Sequence, residues 1–321
     1  MDREQKFKYM TEEPIPRLVC SLAVPTIISM LITSFYNMVD TFFVGRINTS
    51  ATAAVGVVFS LMAIIQAIGF FFGHGSGNYI SRQLGAQNTE EASEMASIGF
   101  FSALIAGAVL AVLGLIFIEP LAMLLGSTET ILPYAVDYLK YILIGAPYMT
   151  ASLVLNNQLR FQGNAMYGMV GIVVGAVVNI ALDPVLIFIC GMGISGAALA
   201  TIISQFISFV LLLWVSQRGP GIHISLQKLH FSTDFLKEIV RGGFPSLCRQ
   251  GLGSVATIAL NMAAGVYGDA AIAGMSIVSR ITMFAYSALI GFGQGFQPVC
   301  GFNYGAKLYD RVREAFYFCL K

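Results

Sequence analysis

Eight stretches of this chain are long and apolar enough to cross a lipid bilayer, and that property leaves little choice of fold. They are 18–44, 52–75, 95–118, 134–157, 168–190, 193–216, 242–264 and 270–297. A crossing helix needs about 20 mostly apolar residues. Inside hydrocarbon the backbone must satisfy its own hydrogen bonds, so only helices and closed barrels span. Barrel strands alternate polar and apolar positions, and these runs do not. Of the 321 residues, 56% are hydrophobic and 11% charged, against about 25% charged in a soluble domain. So little charge cannot coat a water-facing surface. The expected fold class is an all-α integral membrane protein with eight transmembrane helices, surrounded by membrane lipids. Soluble enzymes and nucleic-acid binders are excluded.

Lysine and arginine set orientation in membranes. With the N-terminus in the cytoplasm, fourteen of the 18 basic residues fall on the inside, Arg82, Arg160, Lys228 and Lys307 among them. Only Arg46 and Lys140 fall outside, and Arg249 and Arg280 lie within spans. Both chain ends are therefore expected in the cytoplasm, with residues near Ser127 and Gly268 outside. The five cysteines show no CxxC spacing, which argues against a disulfide framework or a zinc site.

An internal repeat organises the chain. At an offset of 220, Gly73, Gly75, Gly85 and Ala86 fall on Gly293, Gly295, Gly305 and Ala306, Pro25 on Pro245, and Gly45 on Gly265. Six spans separate the copies, so both enter the membrane in the same direction: a parallel repeat about an axis along the membrane normal. The expected organisation is a cytoplasmic arm at 1–17, a six-helix lobe at 18–217, a cytoplasmic linker at 218–241, and the start of a second lobe at 242–321. A complete second copy calls for about 120 further residues and four more spans, with a ninth span beginning near REAFYFC.

Ionisable residues inside spans usually mark a pathway or coupling site. Asp40 lies towards the outer end of the first span, with Tyr36 and Asn37 at i−4 and i−3 on the same face. Asp183 lies in NIALDPVLIF on the fifth span, with Asn179 at i−4. Pro184 removes an N–H and frees a carbonyl about one turn earlier. Thr201 sits about 12 Å into the sixth span at helical rise, so Asp40, Asp183 and Thr201 share the outer half of the bilayer. Two carboxylates with an amide and a hydroxyl can make an oxygen-lined cation site or a proton site. They can equally be two separate acids near the outer surface. Arg249 and Arg280 have no acid on their own spans and are expected to face water or backbone carbonyls. His74 is expected to be a local helix-end residue. The 14 Met and 24 Phe suit a promiscuous apolar cavity as well as ordinary bundle packing.

Taken together, VPTIISMLITSFYNMVDTFFVG, SRQLGAQN, NIALDPVLIF, GISGAALATIISQ and IGFGQGFQPVCGFNYGA resemble the family of multidrug and toxic-compound extruders, most of all its MepA-like bacterial branch. The resemblance covers essentially the whole chain. It implies two six-helix lobes about a V-shaped cavity, in which this chain holds the first lobe and two helices of the second. It implies export of lipophilic, often cationic compounds, driven by Na⁺ or H⁺, by a monomer in the cell membrane. No cofactor beyond the coupling ion and no catalytic residue is implied. The cation site it implies is Asp40, Asn179, Asp183 and Thr201, which can ligate Na⁺; Tyr36, Asn37, Asn156, Arg249 and Arg280 are further candidates around the cavity. Two rivals remain: a lipid-linked oligosaccharide flippase of the same superfamily, which needs a strongly cationic cavity, and an intramembrane aspartyl protease, whose GxGD motif is absent.

Overall fold

The computed structural model describes residues 3–47, 49–218, 222–226, 232–265 and 269–321; at 49, 50, 52, 254, 255, 257, 258, 261, 262, 264, 265, 269–277, 279–281 and 283 it describes the helical backbone only. Within the predicted spans the described residues are helical except at Phe117, Cys190 and Gly193. The elements are α1 (Arg3–Glu12), α2 (Ile15–Gly45), α3 (Thr49–Gly85), α4 (Thr89–Ile116), α5 (Ile118–Leu124), α6 (Leu132–Phe161), α7 (Ala165–Pro184), α8 (Ile194–Arg218), α9 (Thr233–Gly265), α10 (Asp269–Gly305) and α11 (Tyr309–Leu320). Helices α2, α3, α4, α6, α7 and α8 are long and apolar enough to cross a bilayer. The predicted seventh and eighth spans fall on α9 and α10, of 33 and 37 residues.

The main differences from the sequence reading are at helix ends. Helix α3 continues past residue 75 to Gly85, because its polar last turns find partners inside the bundle. Gln87 then takes a left-handed φ of 62°, and Asn88 caps α4 by accepting the Glu91 N–H at 3.4 Å. The fifth span runs past Pro184, as its predicted range of 168–190 requires, but does so as a single π turn, Val185–Ile189. There the Cys190 N–H reaches back five residues to Val185 O at 2.8 Å. Such π turns arise where a helix absorbs an irregularity and frequently mark functional sites. The short α5 and the arm helix α1 carry too little apolar length to be visible as spans.

Helix α6 is the pillar of the first lobe and packs on α3, α4, α7 and α8. Its Tyr138, Leu139, Ile142 and Leu143 are buried with Val58, Leu61 and Ile65 of α3. The repeat is visible as reciprocal packing: α2 lies on α10, and α3 lies on α9. A Cβ at Gly85 would strike Phe302 O, and a Cβ at Gly305 would strike Arg82 O. Those four residues are two pairs of repeat mates, so one two-fold operation relates the contacts. The same end of α3 and α10 is involved, as a parallel repeat requires. Lys307, the mate of Gln87, also has a φ of 62°.

Candidate functional site

Helices α2 and α7 each carry one carboxylate into the interior. Asp183 is fully buried, Asn179 is 2% exposed and Asp40 is 8% exposed. One helical turn separates Asn179 from Asp183, and the amide nitrogen donates to Asp183 Oδ1 at 3.5 Å. From α8, the Thr201 hydroxyl donates to Ala197 O at 3.1 Å. The same hydroxyl is hydrogen-bonded to the Tyr138 phenol of α6. Tyr138 lies within electrostatic range of Asp40, Asp183 and Tyr36, and Asp183 lies within range of Asp40. The four sequence-predicted residues are thus brought together around a tyrosine the sequence reading did not name.

Three oxygens in this cluster, Asp40 Oδ1, Asn179 Oδ1 and Asp183 Oδ2, are buried with no donor among the described residues. Each buried acceptor left unpaired costs about 1–3 kcal/mol, more when charged. Carboxylate, amide and hydroxyl oxygens are the donor set hard cations take, and a proton on either carboxylate would supply a missing donor. The residues present therefore fit a small cation or a proton.

A cavity of about 520 Å³ lies beside the cluster, between the first lobe and α9–α10. Tyr36, Asn37, Asn156 and Asn179 line it, with Met30, Met62, Phe70 and Met149 supplying apolar wall. Asp40 and Asp183 do not line it; they stand behind Tyr36 and Asn179. The Tyr36 phenol hydrogen-bonds Gln205 of α8. Asn156 has a local task as well, donating to Gly168 O at 2.9 Å and tying α6 to α7.

A second polar cluster centres on Arg160 of α6, which is 3% exposed. Its guanidinium donates to Gln294 Oε1, to Asn157 Oδ1 at 2.7 Å and to His74 Nε2 at 3.0 Å. Guanidinium only donates, so His74 Nε2 must accept and Nδ1 keeps the proton, which goes to Ser246 Oγ at 2.7 Å. His74 and Gln294 are repeat mates at the 220 offset, and both grip the one arginine. Arg249 is exposed and lines the cavity, within electrostatic range of Arg160 and His74.

The MatE family profile matches residues 25–185 and 245–321. The chain belongs to the MatE family. It is similar to the multidrug export protein MepA of Staphylococcus haemolyticus (strain JCSC1435), 29% identical over 306 residues, covering 95% of this chain and 68% of that protein. MepA of Staphylococcus saprophyticus is 28% identical over 304 residues, 94% of this chain and 67% of that one. Among solved structures, the outward-facing conformation of a multidrug resistance MATE family transporter matches with a TM-score of 0.91 at 28% identity, over 97% of this chain and 70% of that chain. MatE proteins are multi-pass membrane transporters and not enzymes.

Against this MatE fold, two sequence expectations need correction. His74 is no local helix-end residue; it is 2% exposed and joins α3 to α6 and α9. Arg160, counted with the inside charges, is not on a water-facing segment: it is buried in the last turn of α6. Apart from Asn157, the acceptors for Arg160 come from α3 and α10, up to 137 residues away, which no local reading can see. Tyr138 was hidden between Asp137 and Lys140, whose charges suggested an exposed helix end. Arg249 faces the cavity; the side chain of Arg280 lies outside the described residues, as do Lys228 and Gly268.

Proposed function

We propose that this MatE protein exports lipophilic, often cationic, small compounds across the cytoplasmic membrane in exchange for inward-moving Na⁺ or H⁺, with its N-terminus in the cytoplasm. The observation that carries the coupling half is the trio of donorless oxygens on Asp40, Asn179 and Asp183. Two buried carboxylates in mutual range favour a cation or proton between them. Loading from the outside neutralises the pair and changes what holds α2 against α7. Helix α2 is built to bend: it contains Pro25, and Thr26, Ser29, Thr33 and Thr41 each bond the carbonyl four residues back, a pattern that bends helices. Pro184 and the π turn after it give α7 a similar weak point. An ion that binds the two cavity shapes with different affinity then shifts their populations.

The export half rests on family membership, on the MepA relatives and on a cavity walled by methionine and aromatic side chains, which repack around varied ligands. The flippase alternative asks for a wall rich in cations; among the described cavity-lining residues Arg249 is the one cation. The test is ethidium accumulation in cells expressing the full chain. Asp40→Asn should raise accumulation to the level of cells without the protein. Undiminished extrusion by the Asp40→Asn, Asp183→Asn double variant ends the proposal. For orientation, a cysteine at Lys307 should resist impermeant labelling from outside, and one at Ser127 should accept it.

A further inference from the structure

We propose that α1 is a strap across the seam between the first lobe and α9–α11, held fast by α10 and α11 and released from the first lobe whenever the seam opens. The proposal rests on the transport reading, in which one bundle rocks against the other and opens the chamber to each side in turn.

The seam is closed at the end of the molecule that carries α1. A Cβ on Gly295 would strike the Ala23 backbone, one on Gly301 the Ser81 side chain, and one on Gly305 Arg82 O. Helix α10 thus lies directly on α2 and α3, and this end opens only if those contacts part. Helix α1 crosses the parting line, because it bonds to both sides.

The two attachments differ in kind. The last carbonyls of a helix have no partner within it. For α1 the partners come from α10 and α11. Asn303 Nδ2 donates to Met10 O at 3.1 Å, and Arg311 Nη2 donates to Glu13 O at 2.6 Å, just past the helix end. Arg311 Nε also donates to Asn303 Oδ1 at 3.0 Å, which fixes both donors, and its charge suits the negative end of the helix dipole. Met10 is fully buried in one apolar cluster with Val299, Phe302 and Ala315. Ile15, Leu18, Val19 and Leu22 of α2 share that cluster, and the Tyr9 and Ser21 hydroxyls lie 2.6 Å apart. The arm, the entry of α2, α10 and α11 therefore make one packed piece.

The hold on the first lobe is smaller. Lys6 Nζ donates to Asn164 Oδ1 at 2.7 Å in the turn between α6 and α7. Beside it Met10 lies against Gly163, where a Cβ would come within 3.1 Å of Met10 Sδ. An ammonium leaving Asn164 can take water in exchange for the amide. Two carbonyls and a buried methionine have no such cheap exchange inside a packed cluster. The Lys6–Asn164 bond is the catch of the strap.

The test uses the full chain, purified in detergent, with its five cysteines replaced by alanine. Spin labels at exposed Lys8 and Tyr167 report the arm against the first lobe, and labels at Lys8 and exposed Asp310 report it against α11. Lys6→Met should add a longer distance to the first pair and leave the second pair single. Asn164→Ala removes the same bond from the other side and should do the same. The longer population should rise about tenfold, the scale of one hydrogen bond to a charged group. In vesicles, joining Lys6→Cys to Asn164→Cys with a short bismaleimide should cut ethidium extrusion at least about tenfold, because the seam can no longer part. Joining Glu13→Cys to Arg311→Cys should leave extrusion within about twofold of the unlinked variant. A second distance in the Lys8–Asp310 pair, an unchanged Lys8–Tyr167 pair in both variants, or extrusion that survives the first link or is lost with the second overturns the proposal. Extrusion by the unlinked proteins is read first; its absence ends the export reading, while the distances still decide the strap.

Discussion

The carboxylates of α2 and α7 and the guanidinium of α6 are buried to a similar depth, yet their surroundings treat them in opposite ways. Arg160 is met by three amide oxygens and an imidazole nitrogen drawn from three helices. Asp40 and Asp183 are met by one long hydrogen bond from Asn179 and by two tyrosines, with acceptors left over. A charge wrapped in fixed neutral partners is anchored; a charge whose oxygens lack donors is poised to take something mobile. Both sit behind a cavity-lining amide, Gln294 on one side and Asn179 on the other. Among the described charged residues, the chamber touches Arg249 directly but not Asp40, Asp183 or Arg160.

Breaking this contrast should show first in transport. Asp183→Asn should abolish energised ethidium efflux while leaving the protein folded, monodisperse and inserted. Efflux within twofold of wild type would put the acids on the anchored side of the comparison. Next comes a difference of sign in stability. Arg160→Met removes hydrogen bonds to a charged group, worth about 1.5–3 kcal/mol each at most, and should lower the melting temperature in detergent. Asp40→Asn relieves an unpaired buried charge and should leave that temperature unchanged or raised. If both variants melt lower by the same margin, the two clusters do not differ as described. A smaller effect should separate the coupling ions: Asn179→Ala should weaken Na⁺-driven efflux, since an amide oxygen ligates Na⁺, and should spare efflux driven by a proton gradient alone.

The smallest effect lies at the N-terminal arm. Lys6 donates to Asn164 Oδ1 at 2.7 Å, and burial pulls its ammonium from 10.5 down to about 8. Between those values the undocked arm holds a proton that the docked arm has lost, so docking strengthens as pH rises through that window. A spin label at exposed Glu12 should be less mobile at about pH 9.5 than at about pH 7.5, and Lys6→Met should remove the dependence.

The spans, their number and the repeat were legible because they are written in local apolar length and in a fixed offset. Asp40, Asn179, Asp183 and Thr201 were legible as candidates because a polar residue in a membrane helix stands out against its neighbours. Their meeting around Tyr138 rests on how α6 packs between α2, α7 and α8, which no spacing along the chain encodes. Arg160 was missed because it lies in the last turn of α6, where a basic residue reads as the inside end of a span. The extension of α3 was missed because Ser76, Asn78, Ser81 and Arg82 look like a loop until Glu238 and the α10 glycines are brought beside them.

Ser81 and Gly301 are repeat mates, and the place a Cβ on Gly301 would take is already filled by the Ser81 hydroxymethyl. On a two-fold axis a residue faces its own copy. Two separate identical halves must put the same side chain on both sides of that line, and here there is room for only one. A single chain carrying both halves is free of that rule, and the serine stands where only glycine opposite glycine would suit a symmetric pair. The same freedom lets Asp40 have Leu260 as its mate and lets His74 and Gln294 differ while holding one arginine. Joining the halves in one polypeptide therefore does more than tether them: it lets a residue on one side of the axis differ in kind from its mate on the other. Ser81→Gly should tolerate a serine at 301, and Gly301→Ser alone should not, so the double exchange reads directly how much of the fold still obeys the symmetry.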